Sequence, residues 1–207
     1  MGPVKKILLL GAVIAATLAA CGYPTQVTPT AKEILVRPQH SNLRDAHFVV
    51  SGKLTSKGAS VKVAGDGLID YKPAPAGRFK FITTVNGRQV SFEQISVGGT
   101  DYGMQSPGTN KWVSRADPKG GVGPSIFAGA SAQKYIGEED LPQGKVWHAS
   151  AKDGSGNPFD AYIRESDGYP VKYVETQKGG DPITLTFDKY NSGDVITAPP
   201  ASQVTSG

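Results

Sequence analysis

The sequence predicts a mainly β fold (α+β) built on one long antiparallel sheet, and three observations carry that prediction. From Ala46 onward, apolar and polar residues alternate with a period of two over most of the chain. The alternating rows are separated by strong turn dipeptides, Asn86-Gly87, Asp153-Gly154 and Asp167-Gly168. Gly 26 and Pro 15 make up about a fifth of the 207 residues, enough for many turns but short of a low-complexity chain. Hydrophobic residues at 38% and charged residues at 19% fit a globular protein, and the length fits one domain with a real core.

The first segment is not part of that sheet. Lys5-Lys6 form a short positive region, and Ile7 to Leu18 form an uncharged apolar run. The run has the length of a signal-peptide hydrophobic region and falls short of the roughly 20 helical residues that span a hydrocarbon core. It ends in Leu18-Ala19-Ala20-Cys21, which has the form of a bacterial lipobox. Small residues before the cysteine suit the narrow site of a lipoprotein signal peptidase, and the thiol supplies the nucleophile for diacylglyceryl transfer. An ordinary signal peptide with a stray cysteine and an uncleaved anchor are the other readings. The single cysteine of the chain stands at the required position, which favours the lipobox. Myristoylation at Met1-Gly2 fails, because Lys6 stands where Ser or Thr is needed. Two or more acyl chains hold a protein stably to a membrane, at about 0.8 kcal/mol per buried CH₂. The expectation is a signal peptide over 1–20, lipidation at Cys21, and a lipid-anchored linker over 21–30. The domain that follows would stand on the extracytoplasmic face of a bacterial cell membrane.

Gly22 to Thr30 is rich in Pro, Thr and Gln and reads as a flexible linker. Thr30 to Asp45 carries Ile34, Leu35 and Leu43 at loosely helical spacing. Pro38 predicts one broken helix or two short ones, the first piece ending near Arg37. Phe48, Val50, Gly52 and Leu54 then alternate with His47, Val49, Ser51 and Lys53, and Val61, Val63, Gly65, Gly67, Ile69 and Tyr71 form a longer row. Phe79, Phe81, Thr83 and Val85 lead into Asn86-Gly87, the strongest hairpin signal in the chain. Val90 and Phe92 follow on one parity and Ile95 and Val97 on the other, which predicts a bulge near Glu93-Gln94. Asp101 to Gln105 and Lys111 to Ser114 make a shorter pair around Pro107-Gly108.

Alternation stops between Arg115 and Gln143. Ser125 as an N-cap and the small residues from Ala128 to Ala132 predict a short helix over 125–135, beside a mobile Gly-rich segment. Strands resume at Lys145 to Lys152, Phe159 to Glu165, Pro170 to Gln177 and Ile183 to Tyr190. Thr197 to Gly207 is rich in Pro, Ser and Thr and reads as a flexible tail over 197–207. The expected domain, 31–196, therefore holds nine or ten antiparallel strands, an N-terminal helix and one late helical interruption. A sheet this long with one apolar face must curl on itself or be covered.

The chemistry is mostly excluded. The net charge of +4 includes Lys5 and Lys6; without them it is 20 − 18 = +2, too small and scattered to point to nucleic acid. One cysteine excludes an intramolecular disulfide and a Cys-based zinc site. His40, His47 and His148 have no metal-ligand spacing and read as structural, so no metal is expected. Gly154-Ser155-Gly156 belongs to a hairpin turn, where a nucleophile would lack a base. Gly65-Asp66-Gly67 and Gly120 to Gly123 lack the strand–loop–helix setting of a phosphate loop. Glu138-Glu139-Asp140 reads as a solvated helix end. No catalytic residues and no cofactor are expected, and the domain reads as non-enzymatic.

The lipobox, a short helix and then Ala46-His47-Phe48-Val49-Val50-Ser51-Gly52 feeding a run of hairpins resemble the LolA-like bacterial lipoproteins, most nearly the mycobacterial LppX/LprG family. Val97-Gly98-Gly99-Thr100-Asp101-Tyr102 with Asn110-Lys111-Trp112-Val113 looks like that family's paired short strands. Phe159-Asp160-Ala161-Tyr162-Ile163, Tyr169-Pro170-Val171 and Ile183-Thr184-Leu185-Thr186-Phe187 resemble its closing hairpins. The resemblance implies an incomplete antiparallel barrel wrapped around short helices, with an apolar cavity for acyl chains and no cofactor. It also implies a lipid or acylated ligand as partner, with a membrane transporter or acceptor lipoprotein beside it.

Two functions from different classes follow. The first is a carrier that binds acyl chains of a lipid, glycolipid or lipoprotein. Its cavity would be lined by Phe48, Val50, Val61, Val63, Phe79, Phe81, Phe92 and Ile163, with Ile126, Phe127 and Tyr135 as a lid. The second is a surface lipoprotein with a filled barrel, acting as a sensor or interaction module through its loops. In that case the same side chains simply fill a dry core.

Overall fold

The computed structural model describes residues 28–56, 59–117, 129–154, 156–176 and 181–207. A capping box opens helix α1 (Ala31–His40): Thr30 Oγ1 accepts the Glu33 N–H at 3.3 Å, and Glu33 Oε2 accepts the Thr30 N–H at 2.7 Å. Ala31, Ile34, Leu35 and Pro38 bury one face of it. The helix does not break at Pro38. The proline stands in the last turn, where the helical ladder is already ending, and its ring is buried. The Ser41 N–H still returns to the Arg37 carbonyl at 3.0 Å.

The strands follow in chain order: β1 (Asp45–Ser56), β2 (Ala59–Asp70), β3 (Ala76–Val85), β4 (Arg88–Val97), β5 (Thr100–Ser106) and β6 (Trp112–Ala116). Then come β7 (Ser131–Leu141), β8 (Gly144–Lys152), β9 (Pro158–Arg164), β10 (Pro170–Glu175), β11 (Ile183–Tyr190) and β12 (Val204–Ser206). They form one sheet in the order β12-β6-β5-β4-β3-β2-β1-β11-β10-β9-β8-β7, and its two ends do not meet. The fold is therefore an incomplete barrel, mainly β, around a short helix. All pairings are antiparallel except the parallel pairing of β12 with β6. Asn86 and Gly87 have φ of 51° and 74°, the left-handed pair that a tight hairpin between β3 and β4 requires.

The period of two divides the sheet into an inner face, against α1, and an outer face. Phe48, Gly67 and Phe187 share one inner row, and Leu185, Tyr173 and Ala161 continue the next across β11, β10 and β9. With Ile34, Leu35, Trp147, Phe159 and Ile163 these residues form the main core. Phe187 anchors it, 5.7 Å from the Phe48 ring and edge-on to Tyr173 at 5.2 Å. A second cluster lies on the outer face, where Leu68, Ala76, Ile95 and Trp112 are covered by Ile196 of the C-terminal segment.

Three sequence expectations are corrected here. β4 has no bulge at Glu93-Gln94: its pairing with β3 and β5 is continuous. The change of parity instead reflects two cores, because Phe92 serves the inner face and Ile95 and Val97 the outer one. Residues 131–135 are not helical but begin strand β7, which also carries Glu138, Glu139 and Asp140. Two register irregularities, at Ser131/Lys134 and Tyr135/Gly137, erase the alternation that would have marked the strand. Residues 125–128 of the expected helix lie outside the described residues. The tail after Thr197 is not loose at its end: Ala201–Gln203 form a single 3-10 turn and Val204–Ser206 pair with Trp112–Ser114.

Buried carboxylates fix that C-terminal segment. Asp45 accepts the backbone N–H of Ser192 at 2.8 Å and of Gly193 at 3.1 Å, and Asp70 accepts that of Ile196 at 3.0 Å. Burial, with Asp45 and Asp194 nearby, holds the Asp70 carboxyl above its ordinary value, and its second oxygen is buried without a hydrogen-bond partner among the described residues.

Candidate functional site

The inner face has two halves. Over β7 to β9 it is covered by α1, whose Arg37 guanidinium also lies 5.2 Å above the Trp147 ring. Over β3 to β6 no helix among the described residues covers it. There the register carries one row from Phe79 through Gln94 and Gly103 to Val113, and the next from Phe81 through Phe92 to Gln105.

Those rows floor an open trough of about 790 Å³, within the roughly 300–1,000 Å³ typical of small-molecule sites. Phe79 and Phe81 are two apart on one strand, so both rings rise on the same face, stacked at 5.7 Å with planes 8° apart. Phe92 stands directly opposite Phe81 and extends the stack at 5.0 Å. All three rings are half-buried. Gly103 keeps the trough open beside them, since a Cβ there would meet nothing within 4 Å. Gly67, on the same face under the helix side, is the opposite case: a Cβ would sit 2.2 Å from Phe48 Cζ.

The far bank is polar. Asp101 accepts the Ser96 hydroxyl at 2.5 Å and the Gln94 amide at 3.3 Å, and stands opposite Arg115 in the register. Lys111 and Arg115 line the trough along β6, exposed and without an ion pair among the described residues. This arrangement offers an apolar aromatic surface bordered by two cations, Lys111 and Arg115, and two carboxylates, Glu93 and Asp101.

The residues proposed from sequence therefore part company. Phe79, Phe81 and Phe92 line the trough together. Phe48 and Ile163 lie in the closed core at 2% and 0% exposure, and Val50 packs against that core. Val63 is buried, and Val61 borders a separate shallow depression with Ala64 and Ile82. Tyr135, expected in the lid, stands on β7 at the opposite edge of the sheet and packs on the helix-side core. Ile126 and Phe127, the other lid residues, and Cys21 lie outside the described residues. Sequence reading missed the β5–β6 bank. Continuing the parity of Phe92 through the Gly98-Gly99 and Pro107-Gly108 turns would have placed Gly103 and Val113 beside the phenylalanines.

His47 and His148 sit on the outer face of the sheet, and His40 ends α1. His148 has Glu139 at 2.7 Å on one ring nitrogen and Asp160 at 2.9 Å on the other, and stacks on Tyr162 at 4.3 Å. His47 pairs with Asp188 at 2.6 Å. Both clasp neighbouring strands together. No group of three or more His, Cys, Asp or Glu residues suited to a metal occurs among the described residues. No helix among them is long and apolar enough to cross a membrane.

No family model matches the chain, and no curated protein matches it in sequence. Solved structures do resemble it. An uncharacterised conserved protein from Thermus thermophilus is similar with a TM-score of 0.56 and 15% identity, over 86% of this chain and 99% of that one. LprF from Mycobacterium bovis is similar at a TM-score of 0.48 and 15% identity, over 82% and 96% of the two chains. A LolA superfamily protein from Nitrosomonas europaea is similar at 0.36 and 9% identity, over 84% and 97%. At these identities the likeness is one of fold. The open antiparallel sheet curved around a helix that the LolA-like resemblance implied is the fold observed.

Proposed function

We propose that the chain is an extracytoplasmic bacterial lipoprotein, lipidated at Cys21 and held at the cell membrane, that binds an acyl chain and carries or presents it. The chain would belong to a lipid, a glycolipid or another lipoprotein, and a membrane transporter or acceptor lipoprotein would receive it. The single observation behind this reading is the half-buried Phe79–Phe81–Phe92 stack on the part of the inner face that α1 leaves uncovered. An acyl chain laid along it would remove apolar surface from water on both partners, at about 25 cal/mol per Å². Binding of this kind needs neither a cofactor nor a catalytic group, and the role is read as non-enzymatic.

The anchor and the trough are tested separately. Cys21→Ala should lose membrane partitioning; a variant that is cleaved elsewhere and still sediments with membranes would refute the lipobox. Native mass spectrometry of the protein purified from bacteria should reveal a co-purifying lipid that Phe81→Asp loses. A lipid retained equally by both proteins would place it away from the trough.

A further inference from the structure

We infer that the ligand of the trough is an anionic single-chain amphiphile, whose negative head is held by one of the two cations on the β6 bank, Lys111 before Arg115; this rests on the acyl-binding reading above. The trough is one aromatic surface with one charged side. Lys111 and Arg115 are four residues apart, flanking Val113 on the bank, which puts their Cα atoms about 13 Å apart along an extended strand. Two cations at that spacing border the length of the phenylalanine stack instead of closing on a single point. An anion at either end of a chain lying on the stack would meet one of them.

Two carboxylates, Glu93 and Asp101, also line the trough, and neither forms an ion pair with Lys111 or Arg115 among the described residues. Asp101 faces Arg115 across the β5–β6 pair but is engaged by Ser96 and Gln94. Glu93 stands opposite Lys80 in the register and also borders the trough. A Cβ added at Gly207 would come 3.3 Å from Arg115 Nε, so the C-terminal segment runs beside Arg115 and Lys111 is the freer cation. The size of the trough suits one chain and a small head rather than a lipid with several chains. The geometry points equally to a carboxylate and to a phosphate, because a lysine ammonium binds both as a point charge.

Three probes with the same chain separate these readings: palmitate, palmitoyl lysophosphatidate and monopalmitoylglycerol. Each is titrated into the purified full-length protein against a fluorescent fatty acid. The two anions should bind about tenfold more tightly than the neutral glyceride, as expected for a hydrogen bond to a charged group. Lys111→Gln should bring the anion-to-neutral ratio close to one, Lys111→Arg should restore it, and raised salt should lower it in the wild type. The order of palmitate and lysophosphatidate then identifies the head that Lys111 prefers. Equal affinity for all three probes, or an anion-to-neutral ratio unmoved by Lys111→Gln, overturns the inference while leaving acyl binding intact. Failure of all three to bind overturns the acyl-binding reading itself.

Discussion

The two halves of the inner face are built from the same pattern and end in opposite states. In the half made by β7 to β11 and β1, Phe48, Phe159, Ile163 and Phe187 share one buried core with Ile34 and Leu35 of α1. In the half made by β3 to β6, Phe79, Phe81 and Phe92 point the same way and stack on one another; Phe79 packs against the edge of the closed core, while Phe81 and Phe92 carry the stack out into the trough. An alternating row states which face is apolar. Whether that face becomes a core or a site depends on what is laid over it, and α1 is long enough for only one half.

The contrast can be broken most strongly in the covered half. Phe187→Ala, in full core packing, should destabilise the domain by about 3–5 kcal/mol in urea unfolding. A loss below about 1 kcal/mol would mean that this half is as loosely filled as the other. The glycines sharpen the same comparison at a smaller scale. Gly67→Ala must push both Phe48 and the Arg78 carbonyl aside and should cost about 1–3 kcal/mol. Gly103→Ala projects into open trough and should leave the urea midpoint unchanged. Equal midpoints for the two variants would remove the distinction.

A smaller effect concerns the buried latch of the C-terminal segment. The Asp70 carboxyl is held above its ordinary value of 3.8, so the folded state binds its proton more tightly than the unfolded state. Its contribution is fullest below the ordinary value and is lost as the pH rises through the folded one. Asp70→Asn has no proton to lose, and should gain stability relative to wild type as the pH is raised across that window. Urea midpoints at pH 4 and 7 check this; a difference between the two proteins that does not change with pH would contradict it.

Much of this architecture was legible in the sequence, and the misreadings have physical causes. Ten strands and the Asn86-Gly87 turn could be read because half-burial writes a period of two and a tight hairpin demands left-handed residues. β7 was hidden because its irregular register shifts the pattern twice within the strand. β12 was hidden because Val204 to Ser206 depend on Trp112, far away in the chain, and three residues carry no period of their own. The parity change at Phe92 and Ile95 was seen correctly but assigned to a bulge, since a single sequence cannot show that the C-terminal segment buries the outer face as well. For the same reason Phe79, Phe81 and Phe92 could be read as apolar candidates from sequence but not separated from Phe48 and Ile163. Only the placement of α1 divides them.

The central claim is that this division is real in solution. Its most direct test is acyl-chain uptake and the urea midpoint measured together on Phe81→Asp and Ile163→Asp. A charge at a partly solvated trough position should abolish uptake and leave the midpoint close to wild type. An unpaired charge at the fully buried Ile163 should unfold the domain. If Phe81→Asp lost stability in step with uptake, or took up the chain as wild type does, the β3–β6 half would be a core like the other and the account would be wrong.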